Sequence, residues 1–215
     1  MNNISIEAVI FDLGGVLIEV EFELAFKAVG RLTGQSPETV RHKMFGSGYG
    51  ARLPHNHPVI AYELGVITSN EFHRHMQVLL GQAIPFQDFR DIWNCIFTEE
   101  LASTVELVRE LLKRPGLKVG VLSNTNEMHL TFLRGRMPVL NEIEHVYASH
   151  EIRLRKPHRQ SFYHTFEKMK VRPQHSVFID DFAENVAAAA SLGTQVIHAT
   201  DPAAVRAGLL RLGLP

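Results

Sequence analysis

Four separate segments of the 215-residue chain carry side chains suited to chemistry on a charged oxygen ligand. Asp12 ends the apolar run Ala8-Val9-Ile10-Phe11 and is followed at once by Leu13-Gly14-Gly15. A carboxylate in that place stands at the mouth of a sheet. Ionised at neutral pH, it can attack an electrophile without a base to activate it. Gly14 and Gly15 permit a tight turn and close approach of backbone to ligand. Ser123-Asn124-Thr125-Asn126 follows a second apolar run, at a junction read as opening a helix. Such residues favour helix caps, and free N–H groups at a helix start hold anions. The Ser123 hydroxyl and Asn124 N–H are therefore candidate phosphate-binding groups. Lys156 precedes Pro157, placed at the first position of the next helix. Its ammonium would keep a nearby carboxylate ionised and offset charge developing on a phosphoryl group. Asp180-Asp181 follows a third apolar run. Two adjacent carboxylates repel, and Mg²⁺ takes oxygen ligands from one or two carboxylates plus waters. Asp12, Asp180 and Asp181 are the candidate metal ligands, with Asn185 one turn on to orient the acidic pair.

These segments need a scaffold that brings them together. Residues 6–12, 118–122, 146–148, 176–179 and 194–198 read as strands. The intervening segments, beginning with the 3.6-residue pattern Leu101, Val105, Val108, Leu112, read as helices. Strand–helix alternation predicts an α/β fold, a Rossmann-like parallel sheet covered by helices on both faces. In such sheets ligands bind beyond the carboxyl ends of the strands, which is where Asp12, Ser123 and Asp180-Asp181 fall. From Glu19 to about Asp91 the pattern is helical throughout, with Phe22, Phe26, Val29 and Phe72, Met76, Leu79 on repeating faces. Ser36-Pro37 and Ser69 are expected helix starts. No strand is expected in this region. The predicted organisation is a core of residues 1–18 and 92–215 with an all-helical cap, residues 19–91, inserted after the first strand.

Composition narrows the function classes. A net charge of −1 gives no electrostatic case for nucleic acid or an anionic membrane. No apolar stretch approaches the ~20 residues of a membrane-spanning helix. Cys95 is the sole cysteine, so no intrachain disulfide can form. With no signal peptide visible, a cytoplasmic protein is expected.

The pattern resembles the haloacid dehalogenase superfamily of phosphohydrolases. Phe11-Asp12-Leu13-Gly14-Gly15-Val16 is similar to its first motif, Ser123-Asn124 to its second, Lys156-Pro157 to its third, and Phe178-Ile179-Asp180-Asp181 with Asn185 to its fourth. They occur in the family's order across essentially the whole chain. Val121 to Asn126 and Arg155-Lys156-Pro157 are most similar to the branch of bacterial alpha-D-glucose-1-phosphate phosphatases. The resemblance implies a Rossmann-like core, Mg²⁺, Asp12 as nucleophile and the Gly14 carbonyl as a further metal ligand.

Gly14 departs from the common pattern, in which a second Asp acts as general acid and base. Losing a general acid typically costs ~10²–10⁴ in rate. The cost is least when the leaving group is already stable, as with an anomeric oxygen. Glu19 and Glu127 are the nearest surrogate acids by sequence, though each reads first as a solvated surface residue. Dehalogenases of the superfamily also lack the second Asp but need no metal, and the retained acidic pair argues against them. The expectation is a Mg²⁺-dependent phosphatase acting on a small phosphorylated metabolite, sugar phosphates among the candidates. The alternative is a non-catalytic binding or regulatory protein on the same scaffold.

Other features carry less. His55/His57 and His73/His75 are i, i+2 pairs, which do not share a helix face, and chance explains them. Tyr49, Arg52, His55 and His57 lie in a cap loop expected to touch substrate. Trp93 and Cys95 read as core, and Arg153 and Arg155 as solvated.

Overall fold

Every residue of β1 (Ala8–Phe11) is buried, as expected of a strand with neighbours on both sides and helices above and below. The computed structural model describes residues 5–46, 53–54 and 56–215. The chain then forms β2 (Ile18–Val20) and the helices α1 (Phe22–Thr33), α2 (Pro37–Phe45), α3 (Pro58–Glu63), α4 (Ser69–Leu80) and α5 (Phe86–Asn94). After β3 (Phe97–Glu100) the alternation begins: α6 (Ala102–Leu112), β4 (Lys118–Ser123), α7 (Glu127–Arg136), α8 (Val139–Glu142), β5 (His145–Ala148) and α9 (Ser149–Ile152). It ends with α10 (Arg159–Met169), β6 (Ser176–Asp180), α11 (Ala183–Ala190), β7 (Gln195–His198) and α12 (Pro202–Arg211).

Among the described residues β5-β4-β1-β6-β7 form one five-stranded sheet with every pairing parallel. Crossover helices cover both faces, since a parallel pair cannot be closed by a hairpin. One face packs Val9, Phe11, Val121, Val177 and Ile179 against α6, α7 and α12. The other packs Ala8, Ile10, Leu122 and Phe178 against Phe162 and Phe166 of α10. The alternation of residues 8 to 11 between these clusters is the period-2 pleat. The α/β Rossmann-like fold read from the sequence is the fold observed.

Helices α1 to α5 gather a separate core of Phe26, Val40, Met44, Tyr62, Phe72, Met76, Leu80, Phe89 and Trp93. Phe72 stacks on Tyr62 with ring centroids 4.5 Å apart and meets Trp93 edge-on at 4.8 Å. Leu80, rather than the expected Leu79, is the buried member at the end of α4. Ser36 caps α2, accepting from the Thr39 N–H, with Pro37 at the first position. For α4 the cap is Thr68, not Ser69. Thr68 accepts from the Glu71 N–H while the Glu71 carboxylate accepts from the Thr68 N–H, a reciprocal capping box.

The expectation of no strand in residues 19–91 fails at the first edge of that range, where β2 takes in Glu19 and Val20. β2 pairs antiparallel with β3, Ile18 beside Glu100 and Val20 beside Phe97, where the chain enters and leaves the helical segment. Each strand is too short to show a period, and pairing alone defines them.

Candidate active site

Asp12 is the residue after β1, in the middle of the sheet, and its backbone N–H donates to the Ile179 carbonyl of β6. β4 runs on the other side with Val121 beside Phe11, so Ser123 lies two residues further along that edge. Asp180 ends β6 and Asp181 follows it. The parallel register therefore delivers three of the four sequence segments to one rim.

Lys156 joins them from the loop before α10. Its ammonium lies 2.9 Å from Asp12 Oδ1 and 2.6 Å from Asp180 Oδ2, with 1% of the side chain exposed. Asp12 Oδ1 also accepts from the Leu13 N–H at 2.7 Å. Asp180 is the most fully satisfied carboxylate. It accepts from Lys156, from the Phe182 N–H at 2.8 Å, and from Asn185 Nδ2 at 3.0 and 3.1 Å. Asn185 thus holds Asp180 in particular.

Asp181 is different. Its Oδ1 is buried with no hydrogen-bond partner among the described residues. Oxygens of Asp12, Asp180 and Asp181 all lie within 4.8 Å of one another. Burial, then the charges of Asp12 and Asp180, push the Asp181 carboxyl up to about 7. Burial also raises Asp12, against the pull of Lys156. Burial alone would lower Lys156, but Asp12 and Asp180 together outweigh it and hold the ammonium above its ordinary value. Three carboxylates around one lysine leave net negative charge and an orphan acceptor. A hard divalent cation with a preference for oxygen fits that donor set. Gly15, at φ +68°, makes room for the Asp181 side chain: a Cβ there would sit 2.6 Å from Asp181 Cγ.

Several local readings are corrected. Helix α7 begins at Glu127 and its cap is Asn126, which accepts from the His129 N–H, so Ser123 and Asn124 precede the helix rather than open it. Pro157 is not the first residue of α10. The Lys156–Pro157 peptide is cis, and the helix starts at Arg159 behind a His158 cap. Asn124 acts through its side chain in a way its type did not announce. Its Oδ1 accepts from the Lys156 N–H at 2.8 Å and its Nδ2 donates to the Lys156 carbonyl at 3.0 Å, clamping the lysine's own backbone. Arg155 is not merely solvated, because Arg155 Nη2 lies 2.7 Å from Glu63 Oε2. Ser123 is buried at the end of β4.

The remaining candidates lie elsewhere. Tyr49, Arg52 and His55 fall outside the described residues. His57 caps α3, accepting from the Val59 N–H, and its ring stacks on Phe45. Glu19 accepts from the Thr98 hydroxyl beside the β2–β3 pair. Glu127 accepts from Ser69 and lines a cavity of about 440 Å³ with Tyr62, Arg134 and His150. Trp93 is core, stacked on His129 with centroids 5.1 Å apart, and Cys95 is partly buried. His73 is buried against the Ile84 carbonyl, and the three aspartates are the only metal-capable cluster among the described residues.

The model of the haloacid dehalogenase-like hydrolases matches residues 6–193. The chain belongs to that family. It is similar to a D-ribitol-5-phosphate phosphatase of Bacteroides thetaiotaomicron, 23% identical over 199 residues that span 90% of this chain and 91% of the other. It is also similar to a sesquiterpene phosphatase of Aspergillus oryzae, 25% identical over 203 residues, 91% of this chain and 90% of that one. Among solved structures, a HAD family enzyme of B. thetaiotaomicron, crystallised with magnesium and inorganic phosphate, superposes with a TM-score of 0.78. The two are 24% identical over 89% of this chain and 93% of that one. No helix among the described residues is long and apolar enough to cross a membrane.

Proposed function

We propose that this hydrolase is a magnesium-dependent phosphatase of small phosphorylated metabolites, sugar phosphates among them, with Asp12 as nucleophile. The observation that carries the reading is the lysine-bridged carboxylate cluster. Lys156 spans Asp12 and Asp180, and Asp181 keeps a buried oxygen unpaired beside them. Phosphatase names among the similar proteins support the reaction class, and a similar structure holding magnesium and phosphate supports the cofactor.

As a phosphoric monoester hydrolase, the chain would work as follows. Asp12 Oδ1 is held by Lys156 and the Leu13 N–H, which leaves Oδ2 uncommitted among the described residues. That oxygen attacks phosphorus, the bond from phosphorus to the substrate oxygen breaks, and an aspartyl phosphate forms. Water then attacks phosphorus, releasing inorganic phosphate and restoring the Asp12 carboxylate. Lys156 fixes the nucleophile and offsets negative charge on the phosphoryl oxygens, worth several kilocalories in a dry site. Ser123 and the Asn124 N–H are assigned to the phosphate oxygens. Asp12, Asp180, Asp181 and the Gly14 carbonyl would hold Mg²⁺, which when bound screens Asp12 from the incoming phosphate and polarises it. Gly14 supplies no acid. A Cβ there would meet Val20 Cγ2 at 3.0 Å, so Val20 limits the room for a longer side chain. The leaving oxygen takes its proton from water, which favours substrates with a stable leaving group. Residues 19–91 are assigned as a cap that closes over the rim and excludes bulk water, with residues 1–18 and 92–215 as the core.

The test is Mg²⁺-dependent phosphate release from a panel of phosphorylated sugars, polyols and p-nitrophenyl phosphate. Asp12→Asn should lower turnover on the order of 10⁴-fold or more while circular dichroism stays unchanged. Retained activity in that variant would remove Asp12 as nucleophile. Silence of the unaltered protein across the panel, with Mg²⁺ still bound, would favour the regulatory reading.

A further inference from the structure

Arg155 and Lys156 are adjacent, yet their charged ends serve different parts of the molecule. Lys156 reaches the aspartate cluster, whereas Arg155 reaches Glu63, the last residue of α3 in the helical segment. The Glu63–Arg155 pair is only partly open to water, with side-chain exposures of 18% and 29%. Burial raises the Glu63 carboxyl, and Arg155 offsets only part of that rise. The same corner is closed by backbone: a Cβ on Gly65, at φ +62°, would lie 3.0 Å from the His150 carbonyl carbon of α9. The end of α3 therefore sits directly on the stretch that leads into the lysine loop.

That loop has two anchors. On the core side, Asn124 clamps the Lys156 backbone through both of its amide atoms. On the other side, Glu63 holds Arg155 from the helical segment. We infer that Glu63 is a positioning residue whose ion pair with Arg155 fixes the loop carrying Lys156, so that seating of the helical segment sets the placement of the ammonium between Asp12 and Asp180. The inference rests on the reading of Lys156 as the charge-neutralising group. It gives the helical segment a part in assembling the site as well as in covering it.

Glu63→Gln keeps the shape and removes the charge. Misplacement of a reacting group from a distance can cost up to about 100-fold, so kcat should fall about 10- to 100-fold with KM little changed. Amide exchange at Lys156 should quicken in the same variant. Because Glu63 acts through Lys156, the double variant Glu63→Gln/Lys156→Met should be no slower than Lys156→Met alone. Arg155→Met, which removes the other partner, should reproduce these effects and serves if Glu63→Gln is poorly folded by thermal melting. Unchanged kcat with unchanged Lys156 exchange would overturn the inference. So would losses that multiply in the double variant while Lys156 exchange stays as in the unaltered protein. If no phosphate is released by any form but Lys156 exchange still quickens in Glu63→Gln, the latch stands and the phosphatase reading falls.

Discussion

Between α1 and α5 the chain buries Phe26, Met44, Phe72, Phe89 and Trp93 against one another, a core made by aromatic contact. At the carboxyl rim of the sheet it buries Asp12, Lys156 and Asp180, three charges in direct contact. The first arrangement gains from removing apolar surface from water, about 1.5–3 kcal/mol for each large side chain. The second carries a desolvation cost that its hydrogen bonds and ion pairs must offset. Stability and reactivity are thus sited apart. The rim can hold Asp181 near neutrality and leave one of its oxygens unpaired because apolar packing on both sheet faces, and in the helical segment, keeps the fold together.

That contrast can be broken from either side. The largest effect is expected from Lys156→Met: kcat should drop about 10²–10³-fold, the scale of losing a preorganised charge-stabilising group. Steady-state kinetics beside a melting curve would show whether the loss is catalytic. Phe26→Ala, in the same core but on α1, should do the reverse, costing about 3–5 kcal/mol in a urea titration while the folded fraction keeps its turnover. A collapse in kcat at full foldedness would mean that the two regions are not separable in this way.

A third measurement uses pH. The Asp181 carboxyl sits at about 7, against an ordinary value of 3.8. Between those values the folded chain keeps a proton that the unfolded chain has lost. The rim's contribution to the stability of metal-free protein should therefore fall as pH rises from about 4 to about 7, whereas His129, lowered to about 4 by burial, contributes with the opposite sign below its ordinary value of 6.5. Asp12 is raised in the same direction, so Asp181→Asn should reduce this slope rather than abolish it. Added magnesium should restore stability above pH 7, where the carboxylates are ionised. The same pH dependence of the urea midpoint in Asp181→Asn as in the unaltered protein would contradict the electrostatic account of the rim. The smallest effect is expected from Ser36→Ala in the helical segment, about 1 kcal/mol for a lost helix cap, with no change in kinetics.

The long apolar runs before Asp12, Ser123 and Asp180 made the sheet and its rim legible, because a buried parallel strand must be apolar on both faces. Elements defined by a partner were not legible. Ile18–Val20 and Phe97–Glu100 are strands only because they pair with each other. The run Ser123-Asn124-Thr125-Asn126 holds four residues able to cap a helix, and type alone could not pick Asn126. Glu63 and Arg155 are ordinary surface types by composition, and only the docking of α3 makes them partners. The lysine itself was readable from its proline neighbour, whereas the Asn124 clamp on its backbone depends on how β4 ends relative to a loop 32 residues away.

The β2–β3 pair has a consequence for how such molecules can diversify. Ile18 lies beside Glu100 and Val20 beside Phe97, so the helical insert departs and returns at neighbouring points. An insert of another size could be grafted across that two-stranded seam without shifting the register of any strand in the main sheet. The chemistry of the rim would stay in place while the helical segment was exchanged like a cassette.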